Sequence, residues 1–312
     1  MADPSTEFLE WYHSSTPYVY ARGFLWTSSV FLNLLIFLPT VLIKDFRKDR
    51  FKNLLAQLVL GDIVIALGAL IRMYFLYHGM PDATILKCAL VELPLMAGYH
   101  ISHLAVFWIS LDRFTVVSFP LMYHKMCTPN VVIYRWALTI FISTVHTSLL
   151  LVRNDLSSAT PEFCRTSENW KPWCINYLFG FATLLCVANI ILYLLTIRKT
   201  QSALSSQTEF QKKVYYTFFY IIIVYILFWV IPKAFYFLAK KILAKMPEFS
   251  LVSSIFLQIN GIADNFMTLG NFAIYGWRHR EIRVALRNMP FKKKSVVRQV
   301  PPAPRQSSLT PL

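Results

Sequence analysis

Few residues of this chain are equipped for chemistry, and most of them stand in apolar surroundings. Asp112 and Arg113 sit together in Ser110-Leu-Asp-Arg-Phe-Thr-Val-Val-Ser-Phe-Pro-Leu-Met-Tyr123, after an almost uncharged run over 95–111. A charged pair where an apolar segment ends is costly unless it is paired, hydrated or met by a partner. Two readings are open on these residues: solvated flanks of a helix, or a charge switch facing a cytoplasmic partner. Asp62, inside Leu58-Val-Leu-Gly-Asp, is a lone acid in apolar sequence. It is either a protonated core residue or a functional ionisable site, the default for such a group in a membrane. His100 and His103 share a helical face, and His146 follows in a later apolar block. Two imidazoles need further converging ligands to hold a metal, so neither a metal site nor an enzyme is expected. Five cysteines complete the inventory: Cys88, Cys127, Cys164, Cys174 and Cys186.

The elements that must position these groups follow from composition. The chain of 312 residues is 56% hydrophobic, 16% aromatic and only 15% charged, where a soluble domain is about a quarter charged. Net charge is +15, but the basic residues lie in short runs between apolar blocks. That pattern reads as membrane topology and excludes a nucleic-acid groove. A spanning helix needs about 20 apolar residues, and seven blocks supply them: 22–43, 53–77, 87–119, 131–152, 175–197, 214–238 and 251–275. The expected fold is an all-α membrane protein, a seven-helix bundle over 22–276. Residues 1–21 form an extracellular N-terminus without a secretory signal or an Asn-x-Ser/Thr acceptor. Pro232 within the sixth span predicts a kink, because bundle neighbours can satisfy the freed carbonyl.

Roughly two-thirds of the 31 Lys and Arg residues fall on one side of these spans. This places the N-terminus outside and the C-terminus in the cytosol. Cys88, Cys164 and Cys174 then lie on the oxidising side, where a disulfide persists. The mid-loop Cys164 is the expected partner of Cys88, and Cys174 the alternative. Residues 277–290 put Trp277, Ile282, Ala285 and Leu286 on one stripe with arginines opposite. This predicts an amphipathic helix on the inner leaflet, against membrane lipids. Residues 291–312 read as a disordered cytoplasmic tail.

Ordered along the chain, these features resemble a rhodopsin-like (class A) G-protein-coupled receptor over about residues 22–290. Cys88 precedes Arg113 by 25 residues, and Asp-Arg-Phe-x-x-Val-x-x-Pro-Leu runs from Asp112 to Leu121. Asp62 matches the second-helix acid of the family and Trp136 its fourth-helix Trp. Asn271-Phe-Ala-Ile-Tyr275 matches Asn-Pro-x-x-Tyr with Phe272 in place of Pro. Trp229 stands one residue further from Pro232 than the family's switch Trp, and Phe114 replaces a Tyr. Lys212 and Lys213 stand where some members carry an acid that latches the third-helix Arg. The resting state is therefore expected to rest on Asp112–Arg113 alone. Blocks such as Leu60-Gly-Asp and Ile109-Ser-Leu-Asp-Arg-Phe are similar to nematode serpentine chemoreceptors, class Srsx first and class Srv second.

The resemblance implies a receptor that converts binding of an extracellular small molecule or peptide into activation of a heterotrimeric G protein. It implies coupling roles for Asp112, Arg113, Leu121, Tyr193 and Tyr275. Asp62, Ser102 and Asn271 match three positions of the family's sodium site, a fourth being Met267, so Na+ at Asp62 is the one cofactor to weigh. Leu95 holds the position of the aminergic Asp and argues against an anchored amine. Arg72, Glu92, Leu95, Tyr99, Tyr177, Lys233, Tyr236, Asn260 and Asp264 form the candidate ligand pocket. Within it, Arg72 pairs with Glu92 and Lys233 with Asp264, as structural glue or as partners that a polar or acidic ligand displaces. The implied location is the plasma membrane, extending to sensory cilia. The competing class is a polytopic transporter or channel using Asp62 as an ion or proton site, against which stands the lack of repeated halves.

Overall fold

A computed structural model describes residues 12, 14–80, 82–126, 128–152, 171–203, 219–220, 222–235, 250–278 and 280–288. These residues are helical apart from short connections. The helices are α1 (Thr16–Leu42), α2 (Lys44–Lys48), α3 (Arg50–His78), α4 (Ile85–Ser118) and α5 (Pro120–Met126). They continue as α6 (Pro129–Ser148), α7 (Pro172–Ala203), α8 (Ile222–Phe235), α9 (Ser250–Arg278) and α10 (Arg280–Asn288). The seven expected spans are α1, α3, α4, α6, α7, α8 and α9. Thr16–Leu42, Arg50–His78, Ile85–Ser118 and Asn176–Thr200 are each long and apolar enough to cross a bilayer. Large apolar side chains such as Phe24, Phe31, Phe141 and Leu184 point outward, which suits a lipid solvent and not water.

Local chemistry sets the helix ends. Asp49 caps α3 by accepting from the Phe51 and Lys52 amides, so the second span begins at Arg50, ahead of the expected position 53. Gly79 ends α3 with φ +73°, a conformation that glycine adopts without strain. Thr84 caps α4 through the Lys87 amide. The first span starts at Thr16 rather than at 22.

α3 and α4 cross with their backbones in close approach. A Cβ on Gly68 would lie 2.4 Å from the Leu95 amide nitrogen, one on Gly98 2.5 Å from that of Ile65, and one on Gly61 2.7 Å from that of Ser102. Gly61 and Gly68 are two turns apart on α3, as are Leu95 and Ser102 on α4, so one glycine face receives one backbone face. Contacts from α4 also reach α6 and α7, while α3 touches α1 and α9. The core formed around this crossing includes Leu58, Ile65, Leu95 and Ile109 and extends to Trp229 and Met267.

α8 carries a π turn over Ile226–Val230, directly before Ile231 and Pro232. A π turn takes up one extra residue. The additional residue between Trp229 and Pro232 is absorbed there, and Trp229 faces the core. Its ring stacks on Tyr225 at 5.3 Å and meets His103 edge-on at 4.3 Å.

Candidate functional site

At the end of the bundle that the charge pattern assigns to the cytosol, here called the inner end, the C-terminal turns of α4 carry Asp112 and Arg113. The Asp112 side chain is 2% exposed; Arg113 Nη2 lies 3.1 Å from its Oδ2 and Arg50 Nε lies 2.6 Å from its Oδ1. The expectation of a resting state held by Asp112–Arg113 alone is therefore corrected, because a second guanidinium shares the carboxylate. It escaped the sequence reading because 44–52 looks like a basic loop. The signal was Asp49, a capping residue before an apolar run, which makes Arg50 the first residue of a helix. Arg50 also lies over the Tyr123 ring at 4.8 Å, and Arg113 over Phe51 at 5.2 Å.

Beside this pair, Arg135 Nε donates to Gln57 Oε1 at 3.2 Å. Thr139 Oγ1 accepts from Gln57 Nε2 at 2.5 Å and from Trp108 Nε1 at 3.0 Å. These buried links tie α3, α4 and α6 together, and none of their members was singled out from the sequence. Leu121 on α5 is 84% exposed, an apolar side chain presented at the inner mouth. Tyr193 on α7 stacks on Phe219 at 6.1 Å. Tyr275 lies in the last turns of α9, and its side chain is outside the described set, as are Lys212 and Lys213.

In the middle of the bundle, Asp62 is fully buried. Its Oδ1 accepts from Ser102 Oγ at 3.1 Å and its Oδ2 from Asn271 Nδ2 at 2.9 Å. The structure thus joins α3, α4 and α9 through the three residues matched to the sodium site. Met267 is buried at 1% exposure and offers a soft thioether, a poor ligand for a hard cation. Ser29 Oγ donates to Thr268 Oγ1 at 2.8 Å, a further polar link between α1 and α9.

In the opposite half, which the same charge pattern assigns to the outside, Arg72 Nε lies 2.9 Å from Glu92 Oε1, and Lys233 Nζ lies 2.9 Å from Asp264 Oδ2. Tyr99 donates its hydroxyl to the same Asp264 oxygen. In both ion pairs the cation is the more exposed partner: Arg72 18% against Glu92 1%, Lys233 21% against Asp264 3%. Other candidate pocket residues go elsewhere. Leu95 is consumed by the α3–α4 crossing. Tyr177 hydrogen-bonds His146 Nε2 at 3.1 Å, within an aromatic group that includes His100 and Phe181. Asn260 is buried on α9, and Tyr236 lies outside the described residues.

Cys88, on the first turn of α4, is buried and disulfide-bonded. Cys174 is a free, buried thiol, as is Cys186, so the alternative pairing of Cys88 with Cys174 is corrected. Cys174 packs at the head of α7 against Leu93, Met96, Leu149 and Leu178. Cys164 lies outside the described residues. At the inner surface, Lys52 pairs with Glu281 of α10 and lies 3.4 Å from Asp49. Ile282 of α10 is 1% exposed and joins the main core.

The helical bundle thus carries an Asp-Arg pair at one end, a buried acid at mid-depth and two ion pairs toward the other end. Among the described residues no group of three or more His, Cys, Asp or Glu converges to hold a metal ion. No individual curated protein matches the chain. Residues 27–290 match the family of serpentine type 7TM GPCR chemoreceptors Srsx, and the chain belongs to that family.

Proposed function

We propose that this chemosensory G-protein-coupled receptor turns on when an acidic ligand, entering the outer half, loosens the Lys233–Asp264 pair. At the inner end, Arg113 then leaves Asp112 for the α-subunit of a heterotrimeric G protein. The supporting observation is the asymmetry of the outer ion pairs, which bury their carboxylates and present their cations. An incoming anion meets Lys233 and Arg72, whereas an incoming amine meets like charge. Only a ligand that prefers one conformation can shift the equilibrium. A carboxylate that takes Lys233 from Asp264 removes one tie between α8 and α9 and so favours the state in which α8 moves.

At the inner end, Leu121 offers an apolar contact to the G protein, with Tyr193 and Tyr275 supporting the opened state. The N-terminus faces outward and the C-terminus the cytosol, in the plasma membrane or a sensory cilium, and Cys88 pairs with Cys164. The residues around Asp62 do not suit Na+: both carboxylate oxygens already accept hydrogen bonds, and Met267 replaces an oxygen ligand. No step of the mechanism passes through that ion. The family does not favour a transporter or channel.

The test is a screen of cells expressing the full chain with a promiscuous Gα. The probes are short-chain carboxylic acids, each paired with its methyl ester, and primary amines. Acids are expected to signal and their esters to fail. An amine that activates as well as any acid overturns the ligand class. Arg113→Ala, normalised to surface expression by an N-terminal tag, is expected to be silent; normal signalling from it overturns the switch.

A further inference from the structure

We infer that Arg50 is the retained counter-ion of Asp112: a positioning residue that keeps this buried carboxylate paired when Arg113 departs, and so makes the departure feasible. The inference rests on the reading of Arg113 as the group that changes partner.

The two guanidiniums divide the carboxylate. Arg50 approaches Oδ1 at 2.6 Å and Arg113 approaches Oδ2 at 3.1 Å. Their anchoring differs. Arg113 follows Asp112 on the same helix and must turn away to reach a partner. Arg50 opens α3, where Asp49 fixes the helix start and the Tyr123 ring lies beneath the guanidinium. α3 is locked to α4 by the glycine crossing, so Arg50 keeps its place relative to Asp112 when α8 moves.

A buried carboxylate stripped of its cation is strongly unfavourable, since nothing replaces the lost solvation. With Arg50 in place, Asp112 loses one of two cations and remains paired. Among the described residues, Arg135 also faces the site: it lies within the field of both Asp112 and Arg50 but directs its Nε to Gln57. Removing Arg50 has two effects of the same sign. Arg113 gains sole possession of the carboxylate at rest, and Asp112 is left without its nearest cation once Arg113 leaves. Both favour the resting state.

The experiment measures ligand-free nucleotide exchange on a purified heterotrimer, catalysed by the full-length receptor in nanodiscs and normalised to receptor amount. Arg50→Met is expected to lower exchange about tenfold, and Arg50→Lys to restore most of it. In an Asp112→Asn background there is no carboxylate to keep paired, and Arg50→Met is expected to change exchange by less than about twofold. A rise or no change for Arg50→Met overturns the inference, as does a fall that persists in full beside Asp112→Asn. If Arg50→Met does not fold, Arg50→Gln is measured against the same two criteria. Normal exchange by Arg113→Ala sinks the parent reading instead, whatever Arg50 does.

Discussion

Lys233 Nζ lies 2.9 Å from Asp264 Oδ2, so α8 and α9 carry opposite charges into contact in the outer half of the bundle. Removing one member of a buried pair strands the other, at a cost of about 3 kcal/mol or more. Lys233→Met is therefore expected to lower surface expression, because it leaves Asp264 buried beside Tyr99. The double variant Lys233→Met/Asp264→Asn removes both charges. It is expected to recover expression while remaining deaf to carboxylic acids that activate the wild type. Flow cytometry on an N-terminal tag, beside a signalling assay, reads both quantities. Recovery of the acid response in the double variant means that the pair only holds the helices together.

The glycine crossing yields a prediction about stability. At Gly98 an added Cβ meets the Ile65 backbone at 2.5 Å, and a backbone atom on a packed helix cannot rotate away. Gly98→Ala must push α3 from α4 and is expected to destabilise the bundle by about 1–3 kcal/mol. Gly180→Ala is the control, because a Cβ there meets nothing within 4 Å. Thermal unfolding in detergent should separate the two variants by several degrees. Equal melting temperatures would remove the crossing as the organising contact.

The sequence made some of this arrangement legible because ionisable residues are rare in apolar blocks and their depth can be counted. Arg72 with Glu92 and Lys233 with Asp264 could be paired in this way, whereas Ser102 and Asn271 were joined to Asp62 only by the family resemblance. Three features were hidden for separate reasons. Arg50 resembled a loop cation because the basic run masked the Asp49 cap. Trp229 looked misplaced because residue counting presumes an unbroken α-helix, while the π turn restores its inward direction. Cys164 and Cys174 both satisfied the compartment argument; Cys174 is a free thiol in the structure, and Cys164 lies outside the described residues. The spacing of Gly61 and Gly68 marks a small-residue face, but it does not say which helix that face meets.

α10 is held by an ion pair and by an apolar side chain, and their burial decides which matters more. The Glu281 side chain is 68% exposed, so its pairing with Lys52 is worth less than about 1 kcal/mol. Ile282 is 1% exposed and packed in the core, and truncating such a residue costs about 2–5 kcal/mol. Ile282→Ala is therefore expected to release α10 for proteolysis after Arg283 or Arg287, whereas Glu281→Gln leaves cleavage near the wild-type rate. Limited trypsin digestion of receptor in nanodiscs, followed by mass spectrometry, checks the order. Faster cleavage of Glu281→Gln than of Ile282→Ala would reverse the assignment.

The chemistry around Asp62 predicts indifference to sodium. Ser102 and Asn271 each donate to one carboxylate oxygen, so a cation would have to displace donors already in place. The buried Met267 side chain supplies no hard oxygen. Replacing Na+ by choline at constant ionic strength is expected to change ligand-free nucleotide exchange by less than about twofold, an energy below 0.5 kcal/mol by the relation of rate to barrier. Met267→Asn adds a carbonyl oxygen beside the acid and is expected to introduce sodium inhibition where the wild type has none. Strong sodium inhibition of the wild type, abolished by Asp62→Asn, would mean that two hydrogen-bond donors and a thioether tolerate the ion after all.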